Sequence, residues 1–132
     1  QAGLLNIVSK NISAFWAAMG EIGLQNNVTL FSASDFGRSL GSNGDGSDHA
    51  WGNHHFVVGG AVKPGYYGRM PNLAIGGPDD MGAGRVVPTT STDQYAATLA
   101  RWFGASDSQL LDVFPNLANF DAGRRNLGFM TA

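Results

Sequence analysis

The chain has 132 residues, enough for one domain, with 43% hydrophobic and only 14% charged residues and a net charge of -2. That charge offers no field to draw nucleic acid or an anionic membrane, so neither is expected as a partner. Without cysteine there are no disulfides, thiolate nucleophiles or cysteine-ligated metals, and no apolar run reaches the ~20 residues of a spanning helix. No stretch of these 132 residues reads as a signal peptide either.

From the N-terminus, Leu5, Val8, Ile12, Phe15, Met19 and Ile22 recur at helical spacing, with Leu4, Ile7 and Trp16 widening the stripe. This predicts a first helix that ends near Gly23 and covers much of a sheet. Val28 to Ala33 (VTLFSA) is a nearly unbroken apolar run, the pattern of a strand buried on both faces in a parallel sheet. The segment GRSLGSNGDGSD after Phe36 is a loop.

His55 to Val62 (HFVVGGAV) reads as a second strand, in which Gly59 and Gly60 mark a bulge or a close backbone approach. Leu73 to Ile75 reads as a short strand and Arg85 to Val87 as a short edge strand, with loops at 63–71 and 78–84. Ser91 and Gln94 form a capping box for a helix with an apolar face of Tyr95, Leu99, Trp102 and Phe103 that stops at Gly104. Trp16, Trp102 and Phe103 are assigned to the core on this spacing. Ser106 or Asp107 caps a shorter helix through Val113, ended by Pro115. Leu117, Phe120, Leu127 and Phe129 anchor an irregular tail. Thirteen of the 19 glycines lie between Gly37 and Gly84, so helical ends flank a loop-heavy middle that needs tertiary contacts or an ion to stay ordered.

Chemistry concentrates between Asp35 and His55. Ser34-Asp35-Phe36-Gly37-Arg38 follows a strand, where α/β sheets bind ligands. Asp35 there serves as a metal ligand or base, and Arg38 as a bidentate clamp on an oxyanion. The competing reading is a turn-capping Asp and an Arg paired to a surface acid. Asp48-His49-Ala50-Trp51-Gly52-Asn53-His54-His55 joins a carboxylate to three imidazoles, which suits zinc, manganese or iron on a loop. His54 and His55 must point apart if they begin a strand.

Asn43-Gly44-Asp45-Gly46-Ser47-Asp48 resembles the opening of a calcium loop. Counted to twelve it ends at His54 rather than at a bidentate Glu, which favours a plain turn. Gly76-Gly77-Pro78-Asp79-Asp80 is ordinary turn chemistry, and Lys63 and Arg69 read as solvated charges. Phosphate-binding, dinucleotide and nucleophile-elbow motifs are lacking.

The stretch from VTLFSASDFGR through GSDHAWGNHHFVVGGAVKPGYYGRMPNLAIGGPDD, followed by PTTSTDQYAATLARWFG, VFPNLANF and LGFM, resembles the C-terminal part of the domain-of-unknown-function 1501 family. These are exported bacterial proteins, often with a twin-arginine signal, and are similar to the alkaline phosphatase and sulfatase superfamily. The family carries Asp or Glu before Phe-Gly-Arg, here Asp35, and Asp-His before Gly or Asn, here Asp48-His49 followed by Ala50.

The resemblance implies an α/β fold, the C-terminal portion of a three-layer α/β/α sandwich, and a periplasmic or secreted location. It also implies a metal-dependent hydrolase acting on a small anionic phosphate or sulfate ester. Asp35, Asp48, His49 and one of His54 and His55, taken as His55, would hold zinc, manganese or calcium. Arg38 would bind the oxyanion, leaving His54 for catalysis. Family members are several times longer, and the superfamily's nucleophile and other ligands lie in their N-terminal portion. The chain is therefore expected to be a single-domain C-terminal fragment, completed by that portion or by a second copy. The alternative is a non-catalytic secreted structural or binding module.

Overall fold

A computed structural model describes residues 2–131 and shows a mixed α/β chain. Its elements are α1 (Ala2–Glu21), β1 (Thr29–Phe31), β2 (Gly37–Arg38), β3 (His49–Ala50), β4 (Val57–Gly59), α2 (Thr92–Trp102) and α3 (Asp107–Val113). Two 3-10 turns, Pro115–Asn119 and Ala122–Arg124, follow. The strands form two antiparallel pairs, β1 with β4 and β2 with β3. In the first, Thr29, Leu30 and Phe31 face Gly59, Val58 and Val57.

The pairing differs from the expected parallel strand. Val28, Thr29 and Leu30 are half-buried and Phe31 is 50% exposed, because the described residues supply only one neighbour, β4, and leave the other edge of β1 open. The close approach expected at Gly59 and Gly60 is present. A Cβ on Gly59 would lie 2.9 Å from both the Thr29 hydroxyl and the Val28 carbonyl, and one on Gly60 would lie 2.8 Å from the Gln25 carbonyl. The Gly60 N–H donates to that carbonyl at 2.9 Å, so β4 seats itself on the α1–β1 turn through backbone alone.

The first helix also departs from expectation. It covers no sheet: residues 3–11 are exposed throughout, and Ile12, Phe15, Trp16 and Met19 are only half-buried. Two-stranded ribbons of two or three residues present too little apolar area for a 20-residue helix to cover. Leu73–Ile75 forms a turn closed by Gly77 N–H on the Ala74 carbonyl, and 85–87 contributes only a single bridge, Val86 to Asp80.

The core is organised by α2, which presents one side to each of two clusters. Leu99 joins Ala61, Phe129 and Met130, flanked by Tyr95 and Trp102. Ala97 joins Leu110 and Leu117, flanked by Ala100 and Phe114. Phe103, expected in the core, is 88% exposed. It is the helix C-cap, immediately before Gly104 with φ 110°, so it leaves the apolar stripe as the helix ends.

The expected capping box of α2 forms, and α3 carries a second one that was not expected. The Ser91 hydroxyl accepts from Asp93 N–H while Gln94 accepts from Ser91 N–H, and Ser106 rather than Asp107 plays the same part with Gln109. The C-terminal segment returns against residues 61–63: Lys63 N–H donates to Phe129, and Thr131 N–H donates to Ala61.

The loop 69–87 is held by two adjacent carboxylates. Asp79 receives both Arg69 guanidinium nitrogens at 2.9 Å and Asn72 N–H at 2.6 Å, and the hydrogen bond from Arg69 foremost brings its pKa down to about 2. Asp80 accepts from Gly76, Gly82 and Gly84 N–H, with Gly76 the largest cause of its lowered pKa. These were read as turn residues and a solvated cation; together they are the knot of the glycine-rich stretch.

A carboxylate with a depressed folded pKa stabilises above its unfolded value near 3.9 and loses that contribution as pH falls. The melting temperature should therefore carry no slope from this pair above about pH 5, then fall between about pH 4 and 2. Asp79→Asn should flatten that acid limb in thermal melts across pH. An unchanged limb would show that Asp79 does not hold the loop.

Candidate functional site

The residues singled out from sequence lie in the bend before β2, on the β2–β3 hairpin and in the irregular segment 52–56 before β4; the strand expected over His55 to Val62 is confined to Val57–Gly59, so His54 and His55 precede it. In the hairpin, Gly37 faces Ala50 and Arg38 faces His49, and Ser39 N–H extends the ladder to Asp48 at 2.8 Å. Residues directly opposite in an antiparallel pair project from the same face. Arg38 and His49 therefore stand side by side, both exposed.

Phe36 sits against both. Its ring is 6.1 Å from the His49 ring, edge to face, and the Arg38 guanidinium carbon lies 5.1 Å from its centroid. Arg38 also donates to the Ser47 carbonyl at 2.6 Å. The competing reading of Arg38 as paired to a surface acid is not met: among the described residues its guanidinium is held by a ring and a carbonyl and forms no ion pair.

The close packing under this hairpin depends on glycine. A Cβ on Gly37 would fall on the Gly52 carbonyl, with the Gly52 carbon at 2.6 Å. Gly52 in turn donates to Val86 at 2.8 Å and would meet that same oxygen at 2.7 Å with a Cβ of its own. Three backbone segments thus stack without side chains between them, and Asn53 adds a side-chain bond to the Phe36 carbonyl. The joining loop is a turn. Asn43 accepts from Gly46 N–H and donates to Asp48 at 2.8 Å, so its side chain is engaged in closing the turn.

The four expected metal ligands are dispersed in their partners. Asp35 is exposed at the bend before β2. Asp48 engages Asn43 and lies 4.0 Å from Arg85. His49 packs on Phe36. His55 is bonded to the Ser32 hydroxyl at 3.2 Å through Nδ1 and stacks on Tyr95 with centroids 5.4 Å apart. His54 turns the other way, its Nε2 3.3 Å from the Met70 sulfur, so the adjacent histidines do point apart.

No group of three His, Asp or Glu side chains among the described residues converges on a point where one cation could sit. The donor types suit a divalent metal, but their arrangement in this chain does not by itself build a cage for one.

A second small cluster was not foreseen. Ser32 accepts from Phe56 N–H, bonds His55, and its carbonyl accepts from the Tyr95 hydroxyl at 3.1 Å. Burial pushes the Tyr95 hydroxyl up to about 12. The signal available in sequence was slight: a serine inside an apolar strand and a tyrosine on a helix 63 residues later.

No described helix is long and apolar enough to cross a membrane. No curated protein and no solved structure matches the chain. The model of the family described as protein of unknown function (DUF1501) matches residues 1–114, most of the sequence, and the chain belongs to that family.

Proposed function

We propose that the β2–β3 hairpin is an anion-recognition element, and that it serves a hydrolase of phosphate or sulfate esters as its oxyanion clamp. The observation that carries this reading is the cross-strand pair of Arg38 and His49, exposed on one face with the arginine in no ion pair among the described residues. Guanidinium and imidazole donors side by side match the oxygen pattern of a phosphoryl or sulfuryl group. The Phe36 ring limits the motion of both, so less side-chain freedom is lost when an anion binds.

In this reading Asp35, Asp48, His49 and His55 supply part of a metal site within an alkaline-phosphatase-like sandwich, and further ligands come from polypeptide outside the described residues. The resemblance of motifs and the mixed α/β content support the sandwich.

Titration of the chain with sodium sulfate and with inorganic phosphate, followed by NMR at the His49 ring and the Arg38 side chain, tests the clamp. Both anions should shift these resonances, and Arg38→Ala should weaken binding by about tenfold, the value of one charge-assisted hydrogen bond. Shifts of equal size in Arg38→Ala would refute the clamp. Metal analysis of the protein with Asp48→Ala and His49→Ala then asks separately whether these residues contribute to a cation site.

A second reading, a non-catalytic binding module, is favoured by one observation: large apolar side chains stay exposed along α1 and around β1 and α2. An exposed apolar area of this kind marks an interaction surface.

A further inference from the structure

Where α2, α3 and the two 3-10 turns meet, the second core cluster does not close completely. Ala97 and Ala122 contribute only a methyl group each, and a cavity of about 130 Å³ remains beside Leu110 and Leu117. Every residue that lines it lies between Ala97 and Asn126, and its floor is the buried core itself. The cavity is therefore built by one contiguous stretch of the chain rather than left between outer faces.

Its rim is charged. Arg101 and Asp107 line it and form an ion pair across the α2–α3 junction, which accounts for one charge of each sign. Arg125 lines it as well and is half-buried. Its Nε donates to the Phe120 carbonyl at 3.0 Å, and among the described residues its two terminal nitrogens have neither a hydrogen-bond acceptor nor a carboxylate.

Asn126 stands beside it. Its Oδ1 accepts from Gly128 N–H at 2.8 Å, which fixes the orientation of the amide and leaves Nδ2 as a donor without a partner among the described residues. Two side chains thus offer only donors to one cavity, and each is anchored to backbone through its other atom. Donors held in this way lose little freedom when an acceptor arrives.

The lining selects the ligand. One guanidinium in excess over the ion pair calls for a single negative charge. The planar fork of its terminal N–H groups, with an amide N–H beside it, matches the two oxygens of a carboxylate. The apolar floor calls for an aliphatic stem. A cavity of about 150 Å³ holds a benzene ring, so this one takes roughly five or six non-hydrogen atoms.

We propose that the cavity binds a short-chain aliphatic carboxylate, held by Arg125 and Asn126 with its stem against Leu110 and Leu117. It is a site apart from the hairpin, since none of Arg38, His49 and Phe36 lines it.

Titration of the chain with sodium butyrate at constant ionic strength, followed by NMR at the Leu110 and Leu117 methyl groups, tests it. The shifts should saturate with a Kd of about 1 mM. Butyramide, the neutral analogue of the same size, should bind about tenfold more weakly or worse. Asn126→Asp keeps an acceptor for Gly128 N–H but exchanges the donor for a like charge, so affinity should fall by about tenfold or more with unchanged far-UV circular dichroism. Ala122→Leu, at an exposed position, fills the cavity and should abolish binding while Arg125 and Asn126 stay in place.

Methyl shifts that do not saturate by concentrations on the order of 10 mM would overturn the proposal. Butyramide binding as well as butyrate would do the same, as would undiminished affinity in either folded variant. Displacement of butyrate by an equal concentration of inorganic phosphate would also overturn it, because the apolar floor would then contribute nothing to the choice of ligand.

Discussion

Replacing Gly37 with alanine should destabilise the protein by about 3 kcal/mol or more and abolish sulfate binding at the hairpin. The new Cβ has nowhere to go. It falls on the Gly52 carbonyl with the Gly52 carbon at 2.6 Å, and both belong to backbone rather than to the flexible end of a side chain. Gly52 is tethered on its other side, because its N–H is bonded to the Val86 carbonyl at 2.8 Å.

The strand β2 must then lift from its support, and the pairing that places Arg38 opposite His49 goes with it. Gly46→Ala is the control: no atom lies within 4 Å of its Cβ and its φ is not in the left-handed region. Thermal melts should show Gly37→Ala lowered by roughly 10 °C or more and Gly46→Ala near the parent. A Gly37→Ala protein with the parent's melting point and anion response would mean that the three-backbone stack does not support the site.

The same stack explains what was legible in the sequence. Helical period and capping chemistry are local, and the elements they govern formed as expected. Ser91-x-x-Gln94 and Ser106-x-x-Gln109 both close, Gly104 ends α2, and Leu117 and Phe129 are core anchors at 1% and 2% exposure. Gly59 and Gly60 were readable as a close approach because glycine in a strand has few other uses.

What failed was inference from hydrophobicity to burial. The apolar runs of α1 and of Val28 to Ala33 are real, but an apolar run states that a surface wants covering and does not state by what. Within the described residues the covering is missing, so α1 stands clear and β1 keeps an open edge. The assignment of Asp79 and Asp80 to ordinary turn chemistry, and of Arg69 to a solvated charge, missed their role for a related reason. Ten residues separate Arg69 from Asp79, and only the folded loop brings guanidinium to carboxylate. At the candidate site, the stretch after Phe36 reads as a loop in the sequence, yet its first two residues, Gly37 and Arg38, form β2 because a partner strand eleven residues on supplies the pairing. Nor could the sequence show that Asp48 would turn to Asn43 and His55 to Ser32.

Leu117→Ala should be the most damaging core substitution, at about 2–5 kcal/mol. Leu117 is 1% exposed in a 3-10 turn and closes the second cluster against Ala97 and Leu110, with Ala100 and Phe114 around them. Small residues on α2 leave little that can move into the space, so most of the cavity would persist. A protein with this much exposed area has a small reserve, and a melting point lower by roughly 10 °C or more is expected.

Thr98→Val separates packing from polar pairing at the neighbouring position. It keeps the volume but removes a hydroxyl that donates to Gln94 and accepts from Leu127 N–H at 2.9 Å. That leaves the Leu127 amide without its partner, at a cost of about 1–3 kcal/mol. Hydrogen exchange then distinguishes the two variants. Thr98→Val should accelerate exchange at Leu127 and the returning tail while the α2–α3 contact stays protected. Leu117→Ala should accelerate both together. If Leu117→Ala left the melting point where it was, the second cluster would not be part of the cooperative core, and α3 would have to be held by its cap and the Arg101–Asp107 ion pair alone.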